Sequence, residues 1–350
     1  MGAGKSGEAT PTVLNNIFNS NLMAYDFTYL CFGNNNCKVA NTIYIKRFNN
    51  GIIGTIIKIR RKIRIKLKKD FYEVGFHIFY NEFKKAIKSE KYDIVLSTPG
   101  IYSLIAYKYA IKNKIRFGLV YTDPFSENPF FSDYKKARRK IEYKWLKESF
   151  IALYDYDGEI PPFDEFDSKK VPFKFPIPKP VDSLPFQEDY FVYGVNFYRK
   201  YRSHDCLLAF ANKEKIREIN FLVYSNEEPR IINNVRFLNM VSEEQYNKIA
   251  LSARAVIVIG NQTKARYIPS KYLLDIALRR PIISIGLVNK LEVLEKYPFH
   301  FQSTDPNLLE KLSAVKTKDL LSFDIYKIFP DRTPASISLL IYNEIEKRLV

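Results

Sequence analysis

Cysteine, histidine and tryptophan are scarce in this 350-residue sequence, which contains 3 cysteines, 3 histidines and 1 tryptophan. Cys31, Cys37 and Cys206 show no CxxC spacing, so the sequence indicates neither a disulfide framework nor a zinc site. The histidines have no ligand spacing either, and no metal or other cofactor is expected. No run of about 18 apolar residues occurs, and no apolar secretory core follows the first methionine. We therefore expect a cytoplasmic protein without a membrane span.

Acidic residues are outnumbered, since 55 Lys and Arg face 38 Asp and Glu, a formal net charge of +17. A balance this basic indicates a polyanionic neighbour, either nucleic acid, an anionic membrane or a phosphorylated substrate. The cations cluster in the first half, at 58–69 and 135–140. No zinc finger, RRM or helix-turn-helix signature is present, so nucleic acid is not expected as a partner.

Segments 58–69 and 135–147 are candidates for contact with an anionic membrane. The stretch 56–67 fits a helix, with apolar residues at 56, 59, 63 and 67, but residues 63, 65 and 67 also alternate as in a strand. In either form, Ile and Leu lie beside many cations, as in surfaces that bind anionic lipid. The alternative is a solvated charged face.

Short apolar runs alternate with helical patterns in both halves, which predicts parallel sheets covered by helices. Strands are predicted at 27–32, 42–45, 94–96, 117–121, 151–154, 190–195, 219–224, 235–238, 255–259, 281–285 and 300–302. Helices are predicted at 11–18, 73–89, 101–113, 132–148 and 334–350, and Ser242 with Gln245 forms a capping box. The helix at 132–148 carries an apolar stripe of Tyr134, Ala137, Ile141 and Trp145.

The fold class expected is α/β, with two doubly wound Rossmann-type domains that face each other across a cleft. The proline-rich passage from Pro161 to Pro185 predicts the end of the first domain and a linker. The predicted domains are 1–178, with the helix 334–350 packing back on it, and 186–333.

The stretch 255–285 is the most informative, because it predicts a strand, a loop, a helix, a short turn and a strand. Its helix begins at Pro269-Ser270-Lys271. Free amide groups and the positive end of the helix dipole favour an anion there, and Ser270 and Lys271 add a hydroxyl and a charge. The segment therefore predicts a phosphate or ribose pocket, with an ordinary capped helix and a surface lysine as the alternative.

This segment, followed by Arg-Pro-Ile-Ile at 280–283, resembles the nucleotide-sugar-binding segment of bacterial GT-B glycosyltransferases. It is similar to the large retaining family, glycosyltransferase family 4-like, that builds lipopolysaccharide, capsule and exopolysaccharide chains. Further segments resemble the family in the expected order, and the ordered set is more specific than any one motif: 92–106, 121–130, 193–202 and 235–245.

The resemblance implies a GT-B fold and transfer of a sugar, with retention, from a nucleotide-sugar to a lipid-linked or polysaccharide hydroxyl. It implies a place at the inner face of the membrane in cell-surface glycan synthesis. Roles carried over are donor diphosphate binding by Gly194, Arg199, Lys200 and Arg202, acceptor-side chemistry by Asp123, and a first glycine loop with Ser6, Gly7 and Thr10. The cations would replace a metal. The alternatives are a solvated basic turn, simple turns at 194 and 123, and an N-cap at residues 6–10.

Two departures from the family matter. Its usual pair of glutamates aligns with Arg266 and Leu274, and the neighbouring Asp275, a further donor-site candidate, points roughly 100° away around a helix. Donor recognition is therefore altered or lost, which leaves a non-catalytic, nucleotide-binding subunit of another transferase as the alternative function. The family normally has a strand before its first glycine loop, whereas this sequence starts directly at residues 2–7, so the strand is either absent or omitted from the chain start. Gly4-Lys5-Ser6 lacks the first glycine of a Walker A motif.

Overall fold

The computed structural model describes residues 29–32, 42–45, 51–67, 69, 73–87, 91–122, 125–156, 160–185, 187–197, 202–213, 215–260, 271–287 and 291–349. They form two compact units. The first unit holds the described residues up to Lys174 together with 337–349, and the second unit holds Phe175–Ser336. The division falls after Lys174, and the predicted domains 1–178 and 186–333 stay predictions.

The first unit contains two groups of parallel strands. Strands β1 (Tyr29–Phe32) and β2 (Thr42–Ile45) pair with each other. The main sheet has the order β3-β4-β5-β6, with β3 at Ile94–Ser97, β4 at Arg116–Tyr121, β5 at Ile151–Asp155 and β6 at Lys170–Phe173. Its helices are α1 (Gly51–Lys66), α2 (Phe76–Ile87), α3 (Ile101–Asn113) and α4 (Lys135–Glu148), with 3₁₀ turns at Pro129–Tyr134 and Asp164–Lys169.

Strand β6 was not predicted, because it lies in the proline-rich passage that the sequence analysis assigned to a linker. Pro172 pairs with Tyr154 of β5, and β6 is the last strand of the four. Proline has no N–H to donate, so it is tolerated at a sheet edge, where one side of the strand is unpaired. The passage therefore contributes a strand to the first unit.

Helix α1 resolves the ambiguity of the stretch 56–67 in favour of a helix. Ile57 is its buried large apolar residue, whereas Ile53, Ile56, Ile59 and Ile63 are each 41–51 % exposed. The alternation at 63, 65 and 67 was therefore not the signature of a strand. Most of the apolar side chains of α1 face solvent.

The buried face of α4 differs from the predicted stripe. Its buried residues are Arg138, Glu142, Trp145 and Leu146, while Ala137 is exposed. The predicted stripe is confirmed at Trp145 and at Ile141, which packs against the same core, and is wrong at Ala137. Two charged side chains take the inner positions, and the Arg138 guanidinium lies 4.9 Å from the centre of the Phe125 ring.

The second unit is built on a seven-stranded sheet with the order β13-β12-β11-β7-β8-β10-β9, parallel except for the pair β9–β10. The strands are β7 (Glu188–Tyr193), β8 (Asn220–Ser225), β9 (Arg230–Ile232), β10 (Val235–Asn239), β11 (Ala253–Ile259), β12 (Ile282–Ile285) and β13 (His300–Gln302). The helices are α5 (Asp205–Ala211), α6 (Glu243–Ser252), α7 (Lys271–Ala277), α8 (Glu292–Lys296), α9 (Leu308–Ala314), α10 (Thr317–Ser322) and α11 (Ile325–Ile328), with a 3₁₀ turn at Pro330–Arg332.

The order of this sheet is that of a doubly wound domain. The chain proceeds from β7 to β8 and β10, then returns to the other side of β7 with β11, β12 and β13. This reversal between β7 and β11 is a topological switch point, where ligands bind at the carboxyl ends of the strands. The predicted α/β class with parallel sheets is confirmed, as is the capping box at Ser242 and Gln245.

Helix α12 (Pro334–Leu349) ends the described chain. From residue 337 onward it belongs to the first unit. Ile337, Ile341 and Ile345 are buried, and the Arg116 guanidinium donates to the Leu349 carbonyl at 3.0 Å. The first unit is therefore assembled from two separate stretches of sequence.

Candidate functional site

The strongest candidate site lies at the switch point of the second unit. Tyr193 ends β7, Ile259 ends β11, and a small cavity lies between the residues at these ends and helices α6 and α7. The charged and aromatic side chains that line it are Tyr193, Arg202, Tyr246, Lys271, Tyr272 and Asp275. A doubly wound sheet binds its ligand at this place, so the sheet order and the side chains agree.

Lys271 connects the two halves of this site. Its Nζ donates to the Gly194 carbonyl oxygen at 2.5 Å and lies 3.3 Å from the centre of the Tyr246 ring. Burial lowers the pKa of Lys271 to about 8, and nearby Asp275 and Glu243 act in the opposite direction. Among the described residues no carboxylate lies within ion-pair distance of Nζ, and Asp275 and Glu243 act on its charge from further away.

Position 194 has no room for a side chain and therefore requires glycine. A Cβ atom there would lie 2.1 Å from Cε2 of Tyr246 and 2.9 Å from Nζ of Lys271. Real Cβ contacts are never this short, so any side chain at position 194 would displace the aromatic ring or the lysine. Gly194 is predicted from the sequence to bind the donor diphosphate, and in the structure its carbonyl oxygen accepts a hydrogen bond from Lys271.

Asp275 is a buried carboxylate, with 2 % of its surface exposed. The Tyr246 hydroxyl hydrogen-bonds to it, while its Oδ1 has no hydrogen-bond partner among the described residues. Burial raises its pKa, and the charge of Lys271 and the Tyr246 hydrogen bond partly oppose this shift. Leu274, which aligns with a family glutamate, packs against the apolar cluster around Val192 and Ala250 instead.

The predicted site residues thus fall into two groups. Four of them come together in the second unit, where Gly194 contacts Lys271, and Arg202 and Asp275 line the same cavity as that lysine. The others lie outside the described residues: Ser6, Gly7, Thr10, Asp123, Arg199, Lys200, Arg266 and Ser270. Their roles stay predictions.

Tyr246 was missed by the sequence analysis. It follows the capping box of α6, where it resembles an aromatic residue of the core. Burial raises the pKa of Tyr246 well above its usual value, and the nearby Asp275 adds to the shift. Only its position one turn after the capped end of α6 distinguishes it in the sequence. Its ring is what covers the lysine.

A second polar cluster lies in the first unit, where β4 ends. Glu142 on α4 is completely buried, near the hydroxyls of Tyr121 and Ser126. Burial raises the Glu142 pKa to about 7, and the two hydroxyls offset part of the shift. No hydrogen bond of ordinary geometry from a described residue reaches either carboxylate oxygen. No pattern in the sequence indicated this cluster, because Glu142 is one of many charges on a basic helix.

Within the described ranges, no group of three or more metal-ligating side chains occurs. In the same residues, no helix is both long enough and apolar enough to cross a membrane.

No known family model matches the sequence, and no curated protein matches it. Among similar solved structures is the glycosyltransferase SnogD from Streptomyces nogalater, 13 % identical over 86 % of each chain, TM-score 0.44. Sucrose-phosphate synthase from Thermosynechococcus elongatus is 14 % identical over 79 % of this chain and 74 % of that one, TM-score 0.45. MnaA of S. aureus, in a structure with UDP, is 10 % identical over 88 % of each chain, TM-score 0.44. Similarity at this level does not establish the family.

Proposed function

We propose that this chain is a glycosyltransferase whose second unit binds a nucleotide-sugar donor. The observation that carries the proposal is the meeting of Lys271, Gly194 and Asp275 at the switch point of a doubly wound sheet. A cation held there with no carboxylate of the described residues within ion-pair distance suits the diphosphate of the donor. Negative charge grows on that diphosphate as the sugar departs, so a fixed cation lowers the barrier.

In this proposal the chemistry needs no metal, because Lys271 and Arg202, joined by Arg199 and Lys200, neutralise the diphosphate, and Ser270 helps to hold it. The acceptor is a lipid-linked or polysaccharide hydroxyl, and transfer retains the anomeric configuration. The first unit would contribute Asp123 on the acceptor side and the loop with Ser6, Gly7 and Thr10. The two units of a GT-B enzyme would face each other across the cleft, in cell-surface glycan synthesis of the family 4 type.

A second candidate is a non-catalytic subunit that binds a nucleotide and supports another transferase. Leu274 favours it, because this position packs against apolar neighbours and offers no oxygen to a sugar hydroxyl. Asp275 is an incomplete substitute, since it is buried and hydrogen-bonded by Tyr246.

A panel of nucleotide-sugars separates these functions. UDP, GDP, TDP and CMP and their sugars are screened by thermal shift, and each donor that binds is assayed for sugar release and for transfer. We expect one nucleotide class to raise Tm, and its sugar to be released or transferred. Binding without turnover across the panel supports the subunit, and no shift with any nucleotide at millimolar concentration contradicts both functions.

We also propose that α1 brings the protein to the inner face of the membrane. Ile56, Ile59 and Ile63 are 44–51 % exposed on this helix, and the segment 58–69 contains eight cations and no acid. Each cation near an anionic surface contributes about 1 kcal/mol, and inserted isoleucines add the burial of apolar surface. On α4, by contrast, the large apolar residues other than Tyr143 are at least partly buried, so membrane contact by 135–147 would be through its charges.

Exchanging Ile59 and Ile63 for serine tests this contact. Binding to phosphatidylglycerol vesicles, measured by co-sedimentation, should weaken by at least about tenfold, since two partly inserted isoleucines are worth about 2 kcal/mol. The matched control exchanges Ile111 and Leu339, which are 50 % and 51 % exposed on other helices. Equal loss in both double variants, or no loss in either, would contradict a specific role of α1.

A further inference from the structure

An open cavity of about 730 Å³ lies beside the first turns of α4 in the first unit. Its lining combines cations with two aromatic rings: Lys135, Lys136, Arg139, Lys140, Tyr143 and Phe163. The volume is in the range of small-molecule sites, about 300–1,000 Å³. The basic run is visible in the sequence, whereas the cavity is not, because Phe163 lies beyond both α4 and β5 in the chain.

The acids of the described residues do not balance the cations of this cavity. Glu127 pairs with Lys135 and Arg139, and Asp133 is the acid in the lining. Lys136 and Lys140 have no ion pair or hydrogen bond among the described residues. They lie one turn apart on the same face of α4, where like charges repel each other.

Their position on the helix increases this cost. The first turn of α4 contains no acid and begins with Lys135 and Lys136. The amino end of a helix carries a partial positive charge, so cations there are unfavourable by some tenths of a kcal/mol each. A bound anion would relieve both this cost and the repulsion between Lys136 and Lys140.

The aromatic wall is held in an unusual backbone conformation. Phe163 has φ +75° and ψ +89°, in the left-handed region that side chains other than those of Gly and Asn rarely adopt. Its ring packs edge-on against Tyr143, with centres 5.2 Å apart, and under the Arg139 guanidinium at 5.1 Å. Strain of this kind persists where surrounding contacts impose it and is frequent at ligand sites.

We propose that this cavity binds a sugar phosphate. Lys136 and Lys140 hold the phosphate, Arg139 stands beside them, and the sugar ring packs its C–H face on Tyr143, which Phe163 supports edge-on. The volume of this open cavity lies in the range of small-molecule sites, which favours a small molecule over a bilayer as its occupant. The proposal rests on the first unit alone and does not depend on the donor site at Lys271.

Lysine-resolved acetylation, read by mass spectrometry, tests it on the full chain. Glucose 1-phosphate should slow acetylation of Lys136 and Lys140 about fivefold at four-fifths occupancy, while Lys147 on the same helix keeps its rate. Inorganic phosphate should protect less and glucose not at all. Protection should persist in Lys271→Met, which separates this site from the donor site.

Three outcomes would overturn the proposal: no protection by glucose 1-phosphate, equal protection by inorganic phosphate, or protection by phosphatidylglycerol vesicles alone. The last would assign these lysines to a membrane surface. Calorimetry on variants gives an independent measurement. Glucose 1-phosphate should bind at least about tenfold more weakly to the Lys136→Gln, Lys140→Gln double variant, because charge-assisted bonds are worth about 1.5–3 kcal/mol each. The control double variant, Lys144→Gln with Lys147→Gln, removes the same charge from α4 and should bind normally.

Discussion

Replacing Glu142 with glutamine should stabilise the first unit by about 3 kcal/mol at pH 8, and the gain should nearly vanish at about pH 4. Burial raises the pKa of this carboxyl from 4.5 to about 7. The folded state therefore binds its proton more tightly than the unfolded state. The contribution of the Glu142 carboxyl to the stability of the folded state is fully present below its pKa in the unfolded chain. This contribution is lost as the pH rises through about 7. Glutamine has no proton to lose, so its stability does not decline over this range.

The single tryptophan of the chain makes this measurable. Trp145 lies one turn after Glu142 on α4 and is 1 % exposed, so its fluorescence in urea reports unfolding of the first unit. Free energies of unfolding are compared at pH 4 and pH 8. The matched control is Glu148→Gln, an exposed position on the same helix. This variant keeps Glu142, so its stability should fall between pH 4 and pH 8 as that of the wild type does. A gain that is independent of pH, or absent at pH 8, would show that Glu142 does not titrate as its burial requires.

Replacing Lys271 with methionine should weaken nucleotide diphosphate binding by about 10- to 100-fold, because a hydrogen bond to a charged group is worth about 1.5–3 kcal/mol. Methionine is close to lysine in length and is compatible with the Tyr246 ring. Tm should therefore change little. Calorimetry measures the affinity, and Lys248→Met, an exposed lysine on α6 that pairs with Glu244, is the control.

The same binding should take up protons. Burial lowers the pKa of Lys271, and a bound diphosphate would raise it again, so part of the population gains a proton on binding. Affinity should thus decline as pH rises through the alkaline range, and the heat of binding should depend on the ionisation enthalpy of the buffer. Both effects should disappear in Lys271→Met. If the Lys271→Met variant bound the nucleotide diphosphate as tightly as the wild type, Lys271 would not be part of the binding site.

Much of the fold follows from the sequence, because buried parallel strands appear as uninterrupted apolar runs. The strand Ala253–Ile259, for example, was predicted to within two residues of its start. The missed strands are short and lie at edges, where burial is one-sided and charge or proline intrudes, as at Lys170–Phe173 and Arg230–Ile232. Helix α1 could not be assigned because its apolar residues lie all around it and are not confined to one buried face.

Less of the site could be predicted. The strand–loop–helix pattern located Lys271, and the family resemblance located Gly194. The two meet because the carboxyl ends of β7 and β11 adjoin each other in a doubly wound sheet. The contact of Tyr246 with Lys271 depends on tertiary packing that leaves no mark on spacing. Glu142 was hidden for the same reason, since burial of a carboxylate is decided by the strands and loops around it.

The composite origin of the first unit has a consequence for synthesis on the ribosome. Residues 175–336, which make up the second unit, emerge as one continuous stretch and can fold as soon as they leave the exit tunnel. The unit made earlier must wait for α12, which belongs to it from residue 337 onward and whose Ile341 and Ile345 are buried. Until α12 has been made, the apolar surface that it covers stays exposed to chaperones and to misassembly. The unit that is translated first is therefore completed last.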